Sequence, residues 1–483
     1  MKRTLPPESL QDIASQLAQA HEAFQGRYPG ATGARQPVHT VYGGAHLFRA
    51  NTAQRLGETA LRSLDEFAPD FVSFAKAISL PGAERLPDSP DAIAQLAKSI
   101  ESNPDAASKE NPSAWFAHTI YRRVREKLQR EPVEDFRIDF EDGYGNRPDA
   151  EEDGHAASTA NEVAAAMSSG GLPPFIGIRI KPFTEELRDR SIRTLDIFLA
   201  ELVERTHAAL PSNFVVTLPK ITLPDEVAAL AELLGQLERA LSLPPGAVGI
   251  ELMIETTQSI LNERGEASLL ELVAAARGRC TAAHFGTYDY TAACGITAAY
   301  QHMMHPACDF AKGFMQVALA GTGVWLSDGA TNIMPVAPHR AAKDGSALTP
   351  AQIEENRLAV HQAWRLHVHH IQHSLINGFY QGWDLHPAQL PTRYAAVYAF
   401  FLESLDAASE RLRNFVAKAA QATLVGDVFD DAATGQGLLN YFLRAINCGA
   451  ITESEALPLT GLTAPELRLG SFVKILASRS GRA

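Results

Sequence analysis

Charged and polar side chains close several apolar runs of this sequence: Asp139, Glu141 and Asp142 in RIDFEDGYG, Arg179 in GIRIKP, Lys220 in TLPKI, Glu255 in LMIET, Asp289 in HFGTYDYTAACGI and His386 in DLHPAQ. Two acids that meet suit a hard divalent cation such as Mg2+, which takes one or two protein carboxylates and fills its other positions with water and substrate oxygens. Glu255 and Asp289 end consecutive apolar runs, and adjacent strands stand about 4.8 Å apart, close enough for both acids to reach one ion. The competing reading for each is a helix N-cap, since Glu255-Thr256-Thr257 and Asp289-Tyr290-Thr291 both precede helical sequence, although Glu caps poorly. Arg179 offers paired donors to a carboxylate or enolate oxygen, or else forms a structural ion pair with the acids of FEDGYG. Glu141 and Asp142 order metal-bound water in one reading and pair with Arg179 and Lys220 in the other.

The elements that must position these groups are the runs themselves: VHTVY from Val38, FRIDF from Phe136, FIGIRI from Phe175, FVVTL from Phe214, VGIELMI from Val248, AAHF from Ala282, VWLS from Val324, and a last one before His386. From the second to the seventh they recur about every 35 to 40 residues, the length of one strand, one helix and their loops. Between them, segments such as TEELRDRSIRTLDIFLAELVERTHAAL return apolar residues at steps of three and four, the helical period. Strands apolar on both faces, separated by amphipathic helices, predict a parallel sheet wrapped by helices. Eight of them predict a TIM (β/α)8 barrel, whose catalytic residues sit at the C-terminal strand ends.

The longer first interval, with LPDSPDAIAQLAKSIESNPDAASKENPSAW, predicts an insertion after strand 1. Beyond Leu390 the pattern is helical only. The expected division is an N-terminal helical segment over 1–35, a barrel over 36–392, and a helical extension or lid over 393–483.

The whole chain sets limits. Its 483 residues carry 43 basic and 56 acidic side chains, a net charge of −13 that offers no footprint for nucleic acid. An anionic substrate must then be held by local positive charge or by metal. No run approaches the roughly 18 apolar residues of a membrane span, and the start of the chain reads as an amphipathic helix rather than a signal peptide. Cys280, Cys294, Cys308 and Cys448 form no C-x-x-C pair, which predicts reduced thiols and a cytoplasmic protein.

In order and content these motifs resemble the citrate lyase β-subunit and malyl-CoA lyase family, within the group that includes the HpcH/HpaI aldolases and malate synthases. HTVYGGAHLF loosely matches the family's first strand, Asp139-Phe140-Glu141-Asp142 its D-L-E-D, Arg179-Ile180-Lys181-Pro182 part of its R-x-N-P, and Leu218-Pro219-Lys220 its L-P-K. Ile254-Glu255-Thr256 matches I-E-T, the stretch from Gly286 to Gly295 matches G-x-x-D-[LY] with its later glycine, and Gly378-Phe379 through Trp383, His386, Pro387 and Gln389 keeps the spacing of G-F-x-x-x-W-x-[IL]-H-P-x-Q. VFDDAATGQGLLNYFL is similar to the malate synthase segment M-E-D-A-A-T. The sequence departs at Gly382, where the family has lysine before the tryptophan, at Lys181 for asparagine, and at Gly43-Gly44 in the first-strand motif.

The resemblance implies a barrel of the phosphoenolpyruvate/pyruvate type that assembles as a homo-oligomer. It implies a Mg2+-dependent carbon–carbon lyase or aldolase, with Mn2+ as a substitute ion, acting on a small 2-oxo or 2-hydroxy acid or its CoA thioester through a metal-stabilised enolate. Glu255 and Asp289 would hold the metal, Gly286, Thr287 and Tyr288 the substrate carboxylate, and Arg179 the enolate. Glu141, Asp142 and Lys220 would support them, and Asp431, brought over the mouth by the lid, would move the proton. A malate-synthase-like condensation of an acyl-CoA with a 2-oxo acid is the nearest alternative, and a non-catalytic metabolite-binding barrel is one of a different class.

Two histidine groups invite other readings. His361, His367, His369, His370 and His373 in HQAWRLHVHHIQH lack a cysteine or acid to complete a zinc set and read as a solvated or packed helix. His302 and His305 read as a helix end. His386 reads as a lock on the last strand–helix turn. No P-loop, G-x-G-x-x-G or G-x-S-x-G motif stands in a supporting context.

Overall fold

The computed structural model describes residues 10–30, 34–341, 347–417, 423–425, 428–430 and 432–479. Each expected apolar run is a strand: β1 His39–Gly44, β2 Asp135–Asp139, β3 Phe175–Arg179, β4 Phe214–Leu218, β5 Gly249–Ile254, β6 Cys280–Phe285, β7 Trp325–Ala330 and β8 Gln381–Asp384. All neighbours pair in parallel and β8 returns to β1, closing the barrel in sequence order. The fold is the expected TIM barrel with helical additions at both ends.

The insertion between β1 and β2 is helical. Its helices Pro90–Ser102, Pro104–Glu110 and Pro112–Arg130 each begin on proline and are capped by Ser89, Asn103 and Asn111, whose side chains accept from the amide of the third residue on. Proline supplies the helical φ at a position where its missing N–H is not needed, so these ends are fixed locally.

One expectation fails inside the barrel. The strands are not apolar on both faces. In DFRID, Phe136 and Ile138 face the helices, whereas Asp135, Arg137 and Asp139 alternate onto the inner face. Arg137 pairs with Asp135 and with Glu251 of β5, Glu251 lies 3.0 Å from His284 of β6, and Tyr42 of β1 reaches Glu251 and His284 at 3.3 and 3.4 Å. These charges are buried, and each is tolerated because its partner is buried with it.

Outside β8 a second buried network ties the barrel shut. Asp384 accepts from Arg393 at 2.9 to 3.2 Å, and His39 and His367 lie 3.0 and 3.1 Å away. Arg393 belongs to the helix Leu390–Glu403, which crosses the expected boundary at 392 and packs against the barrel.

The C-terminal part differs from expectation in two ways. It is not helical throughout, since Thr423–Val425 pairs antiparallel with Val428–Asp430. Among the described residues its hydrogen bonds to the rest of the chain also avoid the barrel mouth. Arg444 and Asn447, at the end of the helix Ala432–Asn447, bond Gln36 and Ala34 just before β1, Tyr441 bonds Phe401, and Ala450 and Glu455 bond Arg123. Because Gln36 in turn bonds Leu326 and Gln381 at the N-terminal ends of β7 and β8, this docking lies at the closed end, where a lid over the mouth was expected.

Replacing Asp384 by alanine strands the buried Arg393 guanidinium. The expected cost is about 3 to 5 kcal/mol of stability, read as a lowered midpoint in denaturant or thermal unfolding. An unchanged midpoint would show that the network does not hold β8.

Candidate active site

The C-terminal strand ends bring the sequence-selected charges together. Arg179, the last residue of β3, donates Nε and Nη2 to Asp139 at 2.7 and 2.5 Å, and its Nη1 lies 3.3 Å from Glu141. Its guanidinium carbon stands 4.9 Å from the centre of the Tyr42 ring, which leans on Trp383 at 4.6 Å. Asp139 is fixed in its turn by the amides of Glu141 and Gly143, at 2.9 and 2.6 Å. Carboxylate at the edge and aromatic ring at the face therefore set the guanidinium plane.

Lys220 occupies the middle of the acids. Its ammonium bonds Glu141, lies 3.2 Å from Asp142 and 3.6 Å from Asp289. Its backbone sits in the left-handed region, φ 50°, rare for a side chain of this kind, and its N–H donates to Glu255 Oε1 at 2.8 Å. Such a conformation persists where the surroundings impose it, as sites of function do.

Glu255 follows β5 directly and is 2% exposed. The next strand comes close because Gly286 N–H bonds Ile254 O at 3.0 Å. A methyl group at Gly286 would collide with the Glu255 carboxylate, so glycine makes the room the acid occupies. Thr256, not Glu255, caps the following helix by accepting from Ser259. Asp289 lies within the first turn of Thr287–Ala293, whose N-cap is Gly286. Neither acid caps a helix.

Burial first, then the charge of Asp289, push the Glu255 carboxyl up to about 8, against the pull of Lys220 and Arg179. Burial likewise raises Glu141, despite Arg179 and Lys220. For Lys220, burial alone would lower the ammonium, but Glu255 and Glu141 outweigh it and hold it charged. Glu141 and Asp142 thus pair with both cations, the second of the two sequence readings.

Thr287 is buried beside this cluster with its hydroxyl unpartnered. Tyr288 points elsewhere: its phenol donates to Ala330 O at 2.8 Å and accepts from Asn332 N at 3.1 Å, leaving only its backbone for the mouth. Asp431 lies outside the described residues. His386 Nδ1 accepts from Ala388 N at 3.1 Å, capping the turn after β8 as expected. The histidine helix is Pro350–Ile376, where His361, His367 and His370 are buried and bond Phe67 O, Thr392 and Thr331.

Among the described residues no three His, Cys, Asp or Glu side chains group closely enough to hold a metal by themselves. The pair Glu255 and Asp289 fits an ion that takes two protein carboxylates and otherwise water and substrate, as Mg2+ does. Among the described residues the cations paired with Asp139, Glu141, Asp142 and Asp289 are Arg179 and Lys220, and an acid raised to about 8 by burial and then by a neighbouring acid is relieved by added positive charge.

Sequence reasoning lists Asp139 only as a strand-end acid, names Trp383 only within a motif, and assigns no role to Tyr42, Glu251 or His284. Their signal is parity. Glu251 stands four residues before Glu255, His284 two before Gly286, and Asp139 follows Arg137 on the same inner face.

The family model described as "Domain of unknown function (DUF6986)" matches residues 17–475. The chain belongs to this family. No curated protein matches it. Solved structures similar to it include a citrate lyase from Burkholderia xenovorans LB400, 20% identical over 70% of this chain and 92% of that one, TM-score 0.49. Two others are of Haloferax volcanii malate synthase. Its lead(II) complex is 14% identical over 74% and 94% of the two chains, and its magnesium/glyoxylate complex 14% identical over 73% and 92%, both with TM-score 0.39.

The raised Glu255 sets a pH dependence. Its neutral form is favoured in the fold, so its contribution is full below the ordinary carboxylate range and is lost as pH rises towards about 8. Without divalent cations, the melting temperature should fall between about pH 5 and pH 8 more steeply in the wild type than in Glu255→Gln. Parallel profiles would contradict the coupling.

Proposed function

We propose that the mouth of this barrel is the active site of a Mg2+-dependent carbon–carbon lyase or aldolase, with Mn2+ able to substitute, acting on a small 2-oxo or 2-hydroxy acid. The observation that carries the reading is the convergence of Glu255 and Asp289 on Lys220 beside an Arg179 fixed by Asp139 and Tyr42. The ordered motifs that resemble the citrate lyase β-subunit family point the same way.

Glu255 and Asp289 would hold the metal, which when bound supplies Lewis-acid polarisation of a substrate carbonyl. Arg179 keeps Nη1 towards the mouth while Asp139 holds its other edge, so it meets negative charge developing on a substrate oxygen without reorganising. After Gly286, the first-turn amides of Thr287 and Tyr288, which have no partner within their helix, would orient the substrate carboxylate, with the unpartnered Thr287 hydroxyl behind them. Lys220 holds Glu141 and Asp142 against the site and keeps Glu255 oriented through its backbone N–H.

One feature favours a free acid over a CoA thioester. At Gly382, where the resembled family has lysine, a Cβ would lie 3.0 Å from the Arg393 guanidinium that locks Asp384. A side chain there would crowd the buried Arg393–Asp384 pair.

The test is a panel of 2-oxo acids, 2-hydroxy acids and acyl-CoA thioesters assayed with and without Mg2+. The expected result is Mg2+-dependent cleavage of a free acid, reduced about 100-fold or more in Arg179→Lys and in Glu255→Gln. Saturable ligand binding without turnover would favour a non-catalytic barrel, and turnover restricted to acyl-CoA would favour condensation.

A further inference from the structure

The N-terminal helix Gln11–Arg27 buries no residue. Its apolar side chains are nevertheless ordered: Leu10, Ile13, Leu17, Ala20 and Phe24 follow steps of three and four, the spacing of a helix-pairing seam. Ile13, Leu17 and Phe24 are 55%, 52% and 60% exposed. A soluble monomer rarely leaves such a stripe uncovered.

A matching stripe lies elsewhere on the chain. The helix Pro306–Leu319 turns Cys308, Ala311, Lys312, Met315 and Leu319 inward. Phe310, Phe314 and Val317 step by four and three along its other side; Phe310 and Val317 are exposed, Phe314 is half-buried, and the rings of Phe310 and Phe314 form a tilted pair at 4.8 Å. His373 bonds Asp309, and Gln316 bonds the carbonyl of Asn377, pinning the end of the helix Pro350–Ile376 alongside. Their chain neighbours Ile376 and Val317 are 74% and 84% exposed.

The root of the N-terminal helix sits beside this second stripe. Gly30 N–H bonds Gly321 O at 2.8 Å, two residues beyond the end of Pro306–Leu319. The helix then leaves its own body without covering the neighbouring stripe.

From this geometry we infer that the N-terminal helix is an exchanged arm, and that its seam seats on the Phe310, Phe314, Val317 and Ile376 stripe of a second copy of this chain. Matching three-and-four seams pack at a shallow crossing angle. With root and receptor adjacent, one twofold axis closes both seatings at once. With Leu10, Ile13, Leu17 and Phe24 on the arm and Phe310, Val317 and Ile376 on the receptor each presenting roughly 100 Å², one seating covers roughly 700 Å² and the reciprocal pair roughly 1,400 Å², within the size of a stable interface. The inference is independent of the proposed activity.

Light scattering coupled to size exclusion on the full chain tests it. The wild type should have the mass of two chains at micromolar concentration. Ile13→Asp with Leu17→Asp on the arm, and separately Phe310→Asp with Val317→Asp on the receptor, should each give one-chain mass with unchanged circular dichroism. Serine replacements at the same positions serve for either variant that does not fold. A wild-type monomer, a mass other than two chains, or a dimer that survives either variant would overturn the proposal. Dissociation by the arm variant alone would instead mean pairing of arm with arm, and would overturn it too.

Discussion

An acid buried against another acid is the constraint around which the mouth of this barrel is arranged. Glu255 is held there by the N–H of Lys220, whose backbone adopts a left-handed conformation to deliver it, and by a glycine that yields its own side-chain space. Asp289 adds a second negative charge from the neighbouring strand end. Neither arrangement is favourable by itself, since burial and like charge both oppose ionisation. Lys220 offsets part of this by sitting among the acids, and a cation shared by Glu255 and Asp289 would offset the rest.

Arg179 is set with comparable care. Asp139, itself anchored by two loop amides, takes one edge of the guanidinium, and the Tyr42 ring takes its face. Tyr42 in turn stands on Glu251 and His284, with Arg137 below. The polar filling of the barrel is thus the footing of the mouth, and the buried Asp384 network outside β8 keeps the last strand in register with the first.

Much of this was legible in the sequence because the signals were local. Short apolar runs marked the first seven strands, the eighth was placed only by its position before His386, and a charge at the end of such a run marks the open rim of a parallel barrel. What lay between the ends was less visible. Reading Phe136 to Phe140 as an apolar run hid the alternation that sends Arg137 and Asp139 inward, and the same parity hid Glu251 and His284. Tyr42 looked like part of a strand, because its contact with Arg179 joins residues distant in sequence. The docking of Arg444 and Asn447 on Gln36 is likewise long-range, and no helical periodicity announces which end of a barrel a following helix will meet.

The central claim is that Glu255 and Asp289 share one divalent cation. Titration of the full chain with Mn2+, followed by electron paramagnetic resonance of the free ion, measures this without reference to any substrate. One saturable site per chain is predicted, weakened at least about tenfold in Glu255→Gln and in Asp289→Asn. Absence of saturable binding, or binding indifferent to both substitutions, would contradict the account.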